Sequence, residues 1–119
     1  MQALPAHAAV TDAILAFTGG ATPADGDVTL DIPEIAENGA SVPVAVAAPG
    51  AVAIALFAAG NPNPGVATFT FGLLAARPAA TTRIRLASTQ DVIAVARMAD
   101  GSFVQTRKPV MVTVGGCVG

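Results

Sequence analysis

One stretch decides the fold: residues 41–48 read SVPVAVAA, Pro49-Gly50 follow, and residues 51–59 read AVAIALFAA. Large aliphatic residues alternate with alanine on both sides of the turn, which is the period of a β-strand. The second face of each strand is also apolar and has to be covered, so this candidate hairpin predicts a partner interface. The alternative is that the chain comes from an alanine-rich proteome, in which case alanines on the surface do not indicate an interface. Pro49-Gly50 also argues against a transmembrane helix over the same apolar run.

Short alternating segments continue on either side of this stretch, separated by glycine and proline. They span residues 27–32, 66–74, 81–87, 91–98, 102–106 and 110–114. Asp100-Gly101, between two of these segments, is a strong hairpin-turn signal. Seven or eight short strands at regular spacing predict an all-β fold, an immunoglobulin-like antiparallel β-sandwich.

The only helical pattern lies at the start of the chain. Val10, Ile14 and Phe17 recur with the spacing of one helix face, and Gly19-Gly20 supply a stop. We therefore predict one short amphipathic helix from about Ala6 to Thr18.

Length and composition restrict the domain organisation and the partners. A chain of 119 residues suits one domain, which we place at residues 1–114, followed by a flexible glycine-rich tail at residues 115–119. Apolar residues make up 53% of the chain, charged residues 12%, and the net charge is −2. No basic run is present to neutralise phosphates, so nucleic acid is not an expected partner. The low charge predicts that a protein subunit covers part of the apolar surface.

We find no export signal and expect a mature form whose leader has been removed.

Catalytic and metal chemistry find little support in the sequence. The single cysteine excludes CxxC redox and zinc frameworks, and we expect the single histidine, His7, to be a solvated surface residue. Glu34 and Glu37 are expected to lie in a solvated turn rather than to form a catalytic pair. The cations of the second half are expected to solubilise the protein rather than to form an anion site. They are Arg83, Arg85, Arg97, Arg107 and Lys108. We predict no catalytic residue, no metal and no cofactor.

The cysteine lies in the glycine-rich tail, Gly115-Gly116-Cys117-Val118-Gly119, directly after the last predicted strand. Five residues at full stretch reach about 17 Å, and the glycines remove side-chain obstruction. An ordinary frayed terminus is the simpler interpretation, but an exposed free thiol is prone to oxidation and mispairing. With an ordinary pKa of about 8.5, the thiol is partly thiolate at neutral pH and can bond to sulfur electrophiles. The tail therefore predicts a carrier whose cargo is covalently held while other proteins supply the catalysis.

The same tail resembles the end of the SoxY family, sulfur carriers of the bacterial Sox thiosulfate-oxidising system, whose members end in Gly-Gly-Cys-Gly-Gly. The segment Pro33-Glu-Ile-Ala-Glu-Asn-Gly-Ala-Ser-Val-Pro-Val44 is similar to the early-strand segment of that family, and the resemblance spans essentially the whole chain.

The resemblance implies a periplasmic, immunoglobulin-like protein paired with SoxZ. It implies that Cys117 is the covalent attachment site and that the neighbouring glycines form a swinging arm. The haem-containing SoxAX would couple thiosulfate to Cys117, SoxB would hydrolyse off sulfate, and sulfur dehydrogenase would oxidise the remaining sulfane sulfur before SoxB acts again.

One residue departs from the family ending, since Val118 stands where the family has glycine. A β-branched residue beside the thiol narrows backbone freedom and adds bulk.

The alternative function is an exported structural or adhesion module of immunoglobulin type, whose cysteine forms an intermolecular disulfide.

Overall fold

The structure, a computed structural model, describes residues 6–72 and 78–113 of the chain. Within these residues two β-sheets enclose a core, and one helix packs on the outside of the larger sheet. The helix is α1, Ala6–Thr18. The strands are β1 Ala24–Asp25, β2 Thr29–Asp31, β3 Ile35–Ala36, β4 Val42–Ala47, β5 Ala51–Ala58, β6 Gly65–Thr70, β7 Ala79–Ile84, β8 Gln90–Met98 and β9 Phe103–Val112.

The larger sheet has the strand order β1-β9-β8-β5-β6, and β3 also pairs with β9. Its long strands are antiparallel, whereas the two-residue strands β1 and β3 run parallel to β9. The smaller sheet is antiparallel with the order β2-β4-β7. This arrangement confirms the predicted immunoglobulin-like sandwich and its single short helix. The last two residues of the predicted strand 66–74 lie outside the described residues.

The main core lies between the two sheets. Val42, Val44 and Val46 of β4 point inward and are almost completely buried. Ile54 and Leu56 of β5 have no exposed surface and belong to the same cluster. Full burial of such a side chain stabilises the fold by about 1.5–3 kcal/mol. These aliphatic residues of β4 and β5 therefore face the core, as their alternation indicates.

Helix α1 covers the outer face of the larger sheet. Val10 and Ile14 of the helix are buried in a second cluster with Phe57, Ile93 and other residues of β5 and β8. The helix ends in Thr18, whose hydroxyl donates to the carbonyl oxygen of Ala21 at 2.6 Å. Within the described part of the chain, no helix combines the length and the apolar content needed to cross a membrane.

The predicted hairpin between residues 41–48 and 51–59 is wrong. The two strands belong to different sheets, because β4 pairs with β2 and β7 whereas β5 pairs with β6 and β8. The turn does form: Ala51 N–H donates to the carbonyl oxygen of Ala48 at 3.1 Å, and Gly50 has φ +81°. It carries the chain from one sheet to the other, and each strand then finds its partners elsewhere in the sequence.

This topology also changes the interpretation of the second apolar face. On β5 that face is covered by α1 of the same chain, so the predicted partner interface is wrong there. On β4 the outward residues are Pro43, which is exposed, and Ala45 and Ala47, which are half-buried. A partner on the outer face of β4 stays a prediction.

Strand β9 is continuous from Phe103 to Val112 and includes Pro109. The sequence predicted two strands here, separated by the segment that contains this proline. The backbone N–H groups of Met111 and Thr113 donate to Glu34 and Ala36, on the side of β9 where β3 lies. Because strand residues alternate, the nitrogen of Pro109 points to that same side. It falls between the positions paired with β1 and those paired with β3, where β9 has no register partner on that side among the described residues. Proline, which has no N–H, is tolerated at such a position.

The Asp100-Gly101 turn joins β8 to β9 as predicted. Gly101 has φ +89°, and Met98 N–H donates to the carbonyl oxygen of Ser102 at 2.8 Å. The Ser102 hydroxyl and then its backbone N–H donate to the Asp100 carboxylate, at 2.6 and 2.9 Å, and they lower the pKa of that carboxyl. Both bonds favour the ionised form of the carboxyl and tie the two ends of the turn together.

Replacing Ser102 with alanine should raise the pKa of Asp100 toward its ordinary value of 3.8, because the largest contribution to the shift is the hydroxyl bond. The bond stabilises the fold at pH values above the ordinary Asp100 pKa of 3.8, and it loses that effect as the pH falls through the lower folded-state pKa. Carboxyl-carbon NMR titration measures the shift. Ser41→Ala is the control, since that hydroxyl contacts Arg83; an unmoved Asp100 pKa in Ser102→Ala would contradict the assignment.

Candidate functional site

The predicted carrier tail lies outside the described residues. This applies to Gly115, Gly116, Cys117, Val118 and Gly119, so their roles stay predictions. The structure describes the chain as far as Thr113, four residues before the cysteine. It therefore shows where the tail leaves the sandwich and what surrounds that point.

The end of β9 is fixed from two sides. On one side, Thr113 N–H donates to the carbonyl oxygen of Ala36 in β3 at 3.1 Å. On the other, Val112 N–H donates to the hydroxyl oxygen of Thr89 at 2.9 Å, and that hydroxyl can donate to the carbonyl oxygen of Val112 at 3.4 Å. These bonds hold in place the last described residues of the chain, at the end of β9.

The segment 33–44, which carried the sequence resemblance, lies beside this anchor. Its residues 35–36 form β3, which pairs with residues 111–112 of β9. After β3 the Asn38 side chain accepts a hydrogen bond from Ala40 N–H at 3.1 Å, and its carbonyl oxygen accepts one from Ser41 N–H at 3.3 Å. A local turn of this kind brings the chain round into β4.

Gly39 lets this turn approach the tail's origin closely. Leu86 N–H donates to the Gly39 carbonyl oxygen at 2.7 Å. A Cβ atom at residue 39 would lie 3.0 Å from a methyl of Val112 and would overlap the carbonyl oxygen of Leu86. Only glycine fits between these two groups without a backbone shift.

A cleft of about 180 Å³, which we call the root cleft, opens where these segments meet. It is lined by Asn38, Gly39, Ala40, Arg85, Leu86, Ala87 and Val112. Val112 is the last residue of β9, so the cleft lies beside the end of that strand. Arg85 contributes the cationic side chain of this lining.

A polar network holds the Arg85 side of the root cleft in place. The Asn61 amide donates to the carbonyl oxygen of Arg85 at 2.6 Å and accepts from Ala87 N–H at 3.0 Å. Gln90, which is 9% exposed, donates to Asn61 at 2.9 Å and accepts from Gly60 N–H at 2.8 Å. The loop before β6 therefore fixes the backbone of residues 85–87. No signal in the sequence points to Gln90, and the run of turn-forming residues from Asn61 to Gly65 indicates only a loop.

The other sequence candidates are dispersed. Glu34 and Glu37 are exposed, as expected for a solvated turn. His7 lies in α1, and its side chain is outside the described part of the structure. The described residues contain no group of three or more histidine, cysteine, aspartate or glutamate residues able to hold a metal ion.

The arginines do not form one site. Arg107 pairs with Asp91 at 3.4 Å on the larger sheet, and Arg97 lies over the ring of Phe17 at 5.3 Å. Arg83 and Arg85 are both exposed and point away from the core, as predicted from their alternation with buried neighbours. Arg83 lines a different cleft from Arg85, on the outer face of β4 and β7.

An apolar pair that the sequence did not single out lies next to the tail's origin. Ile35 of β3 is 56% exposed and Met111 of β9 is 54% exposed, and the two are register partners in neighbouring strands. Large contiguous apolar patches mark contact surfaces, and among the described residues these two are the large apolar side chains left exposed.

Comparison with known proteins gives a family match. The family model described as sulfur oxidation protein SoxY matches residues 14–117, a range that includes Cys117. A search of curated proteins found no match to the sequence.

Among solved structures, the sulfur carrier protein SoxY from Chlorobium limicola f. thiosulfatophilum matches with a TM-score of 0.76 and 36% identity, covering 89% of this chain and 97% of that chain. Superoxide reductase (neelaredoxin) from Ignicoccus hospitalis matches with a TM-score of 0.64 and 20% identity, covering 74% and 81%. A match to fibronectin(III)-like modules of Clostridium thermocellum CbhA has a TM-score of 0.53 and 21% identity, covering 73% and 96%. The last two likenesses show the fold alone.

Proposed function

This chain belongs to the SoxY family of sulfur oxidation proteins, and on that premise we propose that it is a sulfur carrier whose Cys117 holds thiosulfate-derived sulfur covalently. Family membership and the match to a SoxY sulfur carrier support the carrier role. The observation that carries the proposal is that the family match runs to Cys117, the only thiol in the chain.

The chemistry assigned to Cys117 needs no catalytic group in this chain. In the loading step the Cys117 thiolate and thiosulfate form a sulfur–sulfur bond, and a pair of electrons leaves to a haem-containing partner of the SoxAX type. Hydrolysis by SoxB then breaks the terminal sulfur–sulfur bond with water and releases sulfate, which leaves a persulfide on Cys117. Sulfur dehydrogenase would then remove six electrons from that outer sulfur and pass them to an electron acceptor, while three water molecules supply the oxygen atoms of the resulting sulfonate. A second hydrolysis by SoxB would release sulfate and restore the thiol.

The anchored end of β9 is consistent with a carrier that holds the sulfur while partner enzymes catalyse each step. Thr89 and β3 fix the tail's origin, while the sequence Gly115-Gly116 before Cys117 allows many backbone conformations. A thiol on a short glycine-rich segment can visit the active sites of separate enzymes without moving the sandwich. We assign the protein to the periplasm, as a heterodimer with SoxZ and without a resident cofactor, and the pair Ile35 and Met111 is a candidate contact surface for a partner.

Intact mass spectrometry tests the proposal. After incubation with thiosulfate and the partner enzymes, the protein should gain the mass of a thiosulfate-derived adduct, and peptide mapping should place it on Cys117. Cys117→Ser should gain no such mass, because serine provides no thiolate at neutral pH. Equal loading of Cys117→Ser would contradict the proposal, and so would a stable reducible dimer with no adduct, which is the behaviour of a disulfide-linked structural module.

A further inference from the structure

Asn38 and Gly39, in the turn between β3 and β4, form a pair that can react with itself. In an asparagine–glycine pair the glycine nitrogen can attack the Cγ atom of the asparagine side chain and close a five-membered ring. Glycine favours this step because no side chain stands beside the attacking nitrogen. The Asn38 side chain is exposed, so water has access to the ring once it has formed.

The hydrogen bonds of the turn leave both reacting groups available. Gly39 N–H forms no hydrogen bond with any residue of the described ranges, so no such bond has to break before its nitrogen attacks. Ala40 N–H donates to the side-chain oxygen of Asn38 at 3.1 Å. A donor in this position stabilises the negative charge that develops on the oxygen as the nitrogen adds to Cγ.

The other two asparagines of the chain cannot follow this route. Asn61 and Asn63 each precede a proline, whose nitrogen carries no hydrogen and cannot become the nitrogen of the ring. They therefore serve as internal references for Asn38 within the same molecule.

Two aspartate–glycine pairs could close the same ring, but their glycine nitrogens are already engaged. Gly26 N–H donates to the carbonyl oxygen of Gln105 at 3.2 Å, and Gly101 N–H donates to that of Met98 at 2.9 Å. An ionised carboxylate is also a poorer electrophile than an amide. Asn38 is therefore the position at which the reactive pair and the hydrogen bonding of the fold coincide.

We propose that Asn38 is a site of spontaneous deamidation and that its isoaspartate product opens the turn after β3. The Gly39 nitrogen bonds to Cγ of Asn38, the bond from Cγ to the side-chain nitrogen breaks, and ammonia leaves with the Gly39 proton. Water then opens the succinimide at either carbonyl, which leaves isoaspartate or aspartate at residue 38. The reaction consumes only water and is independent of the proposed carrier function.

Isoaspartate changes the geometry of the turn as well as its charge, because the main chain then runs through the former side chain and is one methylene longer. Leu86 N–H donates to the Gly39 carbonyl oxygen at 2.7 Å, and even a Cβ atom at Gly39 would press on Leu86 and Val112. A longer backbone in so close a contact has to displace Gly39, and the bond from Leu86 is then lost. Aspartate adds the charge alone and still offers an oxygen to Ala40 N–H.

Incubation of the full chain in mildly alkaline buffer tests the site. Peptide mapping by mass spectrometry should show progressive loss of the amide at Asn38, while Asn61 and Asn63 keep theirs. Methylation by an isoaspartyl methyltransferase should place isoaspartate at residue 38. Asn38→Gln is the control and should gain no isoaspartate there, because glutamine would have to close a six-membered ring.

Two results would overturn the assignment of the site. One is equal loss of the amide at all three asparagines. The other is an Asn38 amide that persists in the folded protein over the time in which the same chain, unfolded in urea, loses it.

Hydrogen exchange tests the proposed opening of the turn. In the purified isoaspartate form the Leu86 amide should lose protection and the midpoint of urea unfolding should fall. Asn38→Asp, which carries the same charge on a backbone of normal length, should keep both close to the values of the unsubstituted protein. Unchanged protection of Leu86 in the isoaspartate form, or an equal loss in Asn38→Asp, would contradict the opening.

Discussion

Replacing Gly39 with alanine should lower the free energy of unfolding by about 2–4 kcal/mol. The added Cβ would overlap the carbonyl oxygen of Leu86 and press on Val112, so the turn after β3 has to move away from the end of β9. Overpacking of this kind costs about 1–3 kcal/mol, and loss of the backbone bond from Leu86 to Gly39 adds about 1 kcal/mol. Urea denaturation followed by circular dichroism measures the change.

Gly65→Ala is the matched control for this prediction. Gly65 lies in β6, and a Cβ atom there would meet nothing within 4 Å. The free energy of unfolding of Gly65→Ala should change by less than about 1 kcal/mol, because only the backbone entropy of the unfolded chain is affected. Equal losses in the two variants would show that the Gly39 contact does not constrain the turn.

Replacing Ile93 with alanine should lower the free energy of unfolding by about 2–5 kcal/mol and should also release α1. Ile93 is completely buried and packs in the cluster that joins β5 and β8 to Val10 and Ile14 of the helix. Removing its side chain forfeits burial and leaves a cavity under the helix. In hydrogen-exchange measurements, Ile93→Ala should increase the exchange rates of the α1 amides more than those of the strand amides, relative to the unsubstituted protein.

The neighbouring residue provides the comparison. Val92 is also completely buried but faces the core between the sheets. Val92→Ala should destabilise the whole sandwich without a selective effect on α1. If both variants changed exchange in α1 to the same extent relative to the strands, the helix and the sandwich would form one cooperative unit and the selective effect would be refuted.

The strands and the helix were predictable because their patterns are local. Alternating valine and alanine reports burial of one face, and the spacing of Val10, Ile14 and Phe17 reports a helix face; the structure confirms both. The pairing of β4 and β5 was not predictable from the same pattern. Pro49-Gly50 makes a turn in either topology, and the choice between one sheet and two depends on partners as distant as Ile84 and Val95.

The surroundings of the tail were less accessible to sequence analysis than the tail itself. Cys117 stands out because it is a single thiol among glycines, but the residues that anchor its origin carry no such signal. Thr89 and Gln90 are ordinary polar residues until the fold brings them against β9 and Asn61. Arg85 was expected to be solubilising, and only the structure places it in the lining of the root cleft.

The position of Pro109 has a consequence for self-association. Between the residues paired with β1 and those paired with β3, one side of β9 has no register partner among the described residues, and unpaired strand edges are sites at which a second chain can add a strand. Pro109 removes a donor from that edge, and the charged side chains of Arg107 and Lys108 stand next to it. Proline and charged side chains are the features with which natural sheets protect an unpaired edge from pairing with another chain.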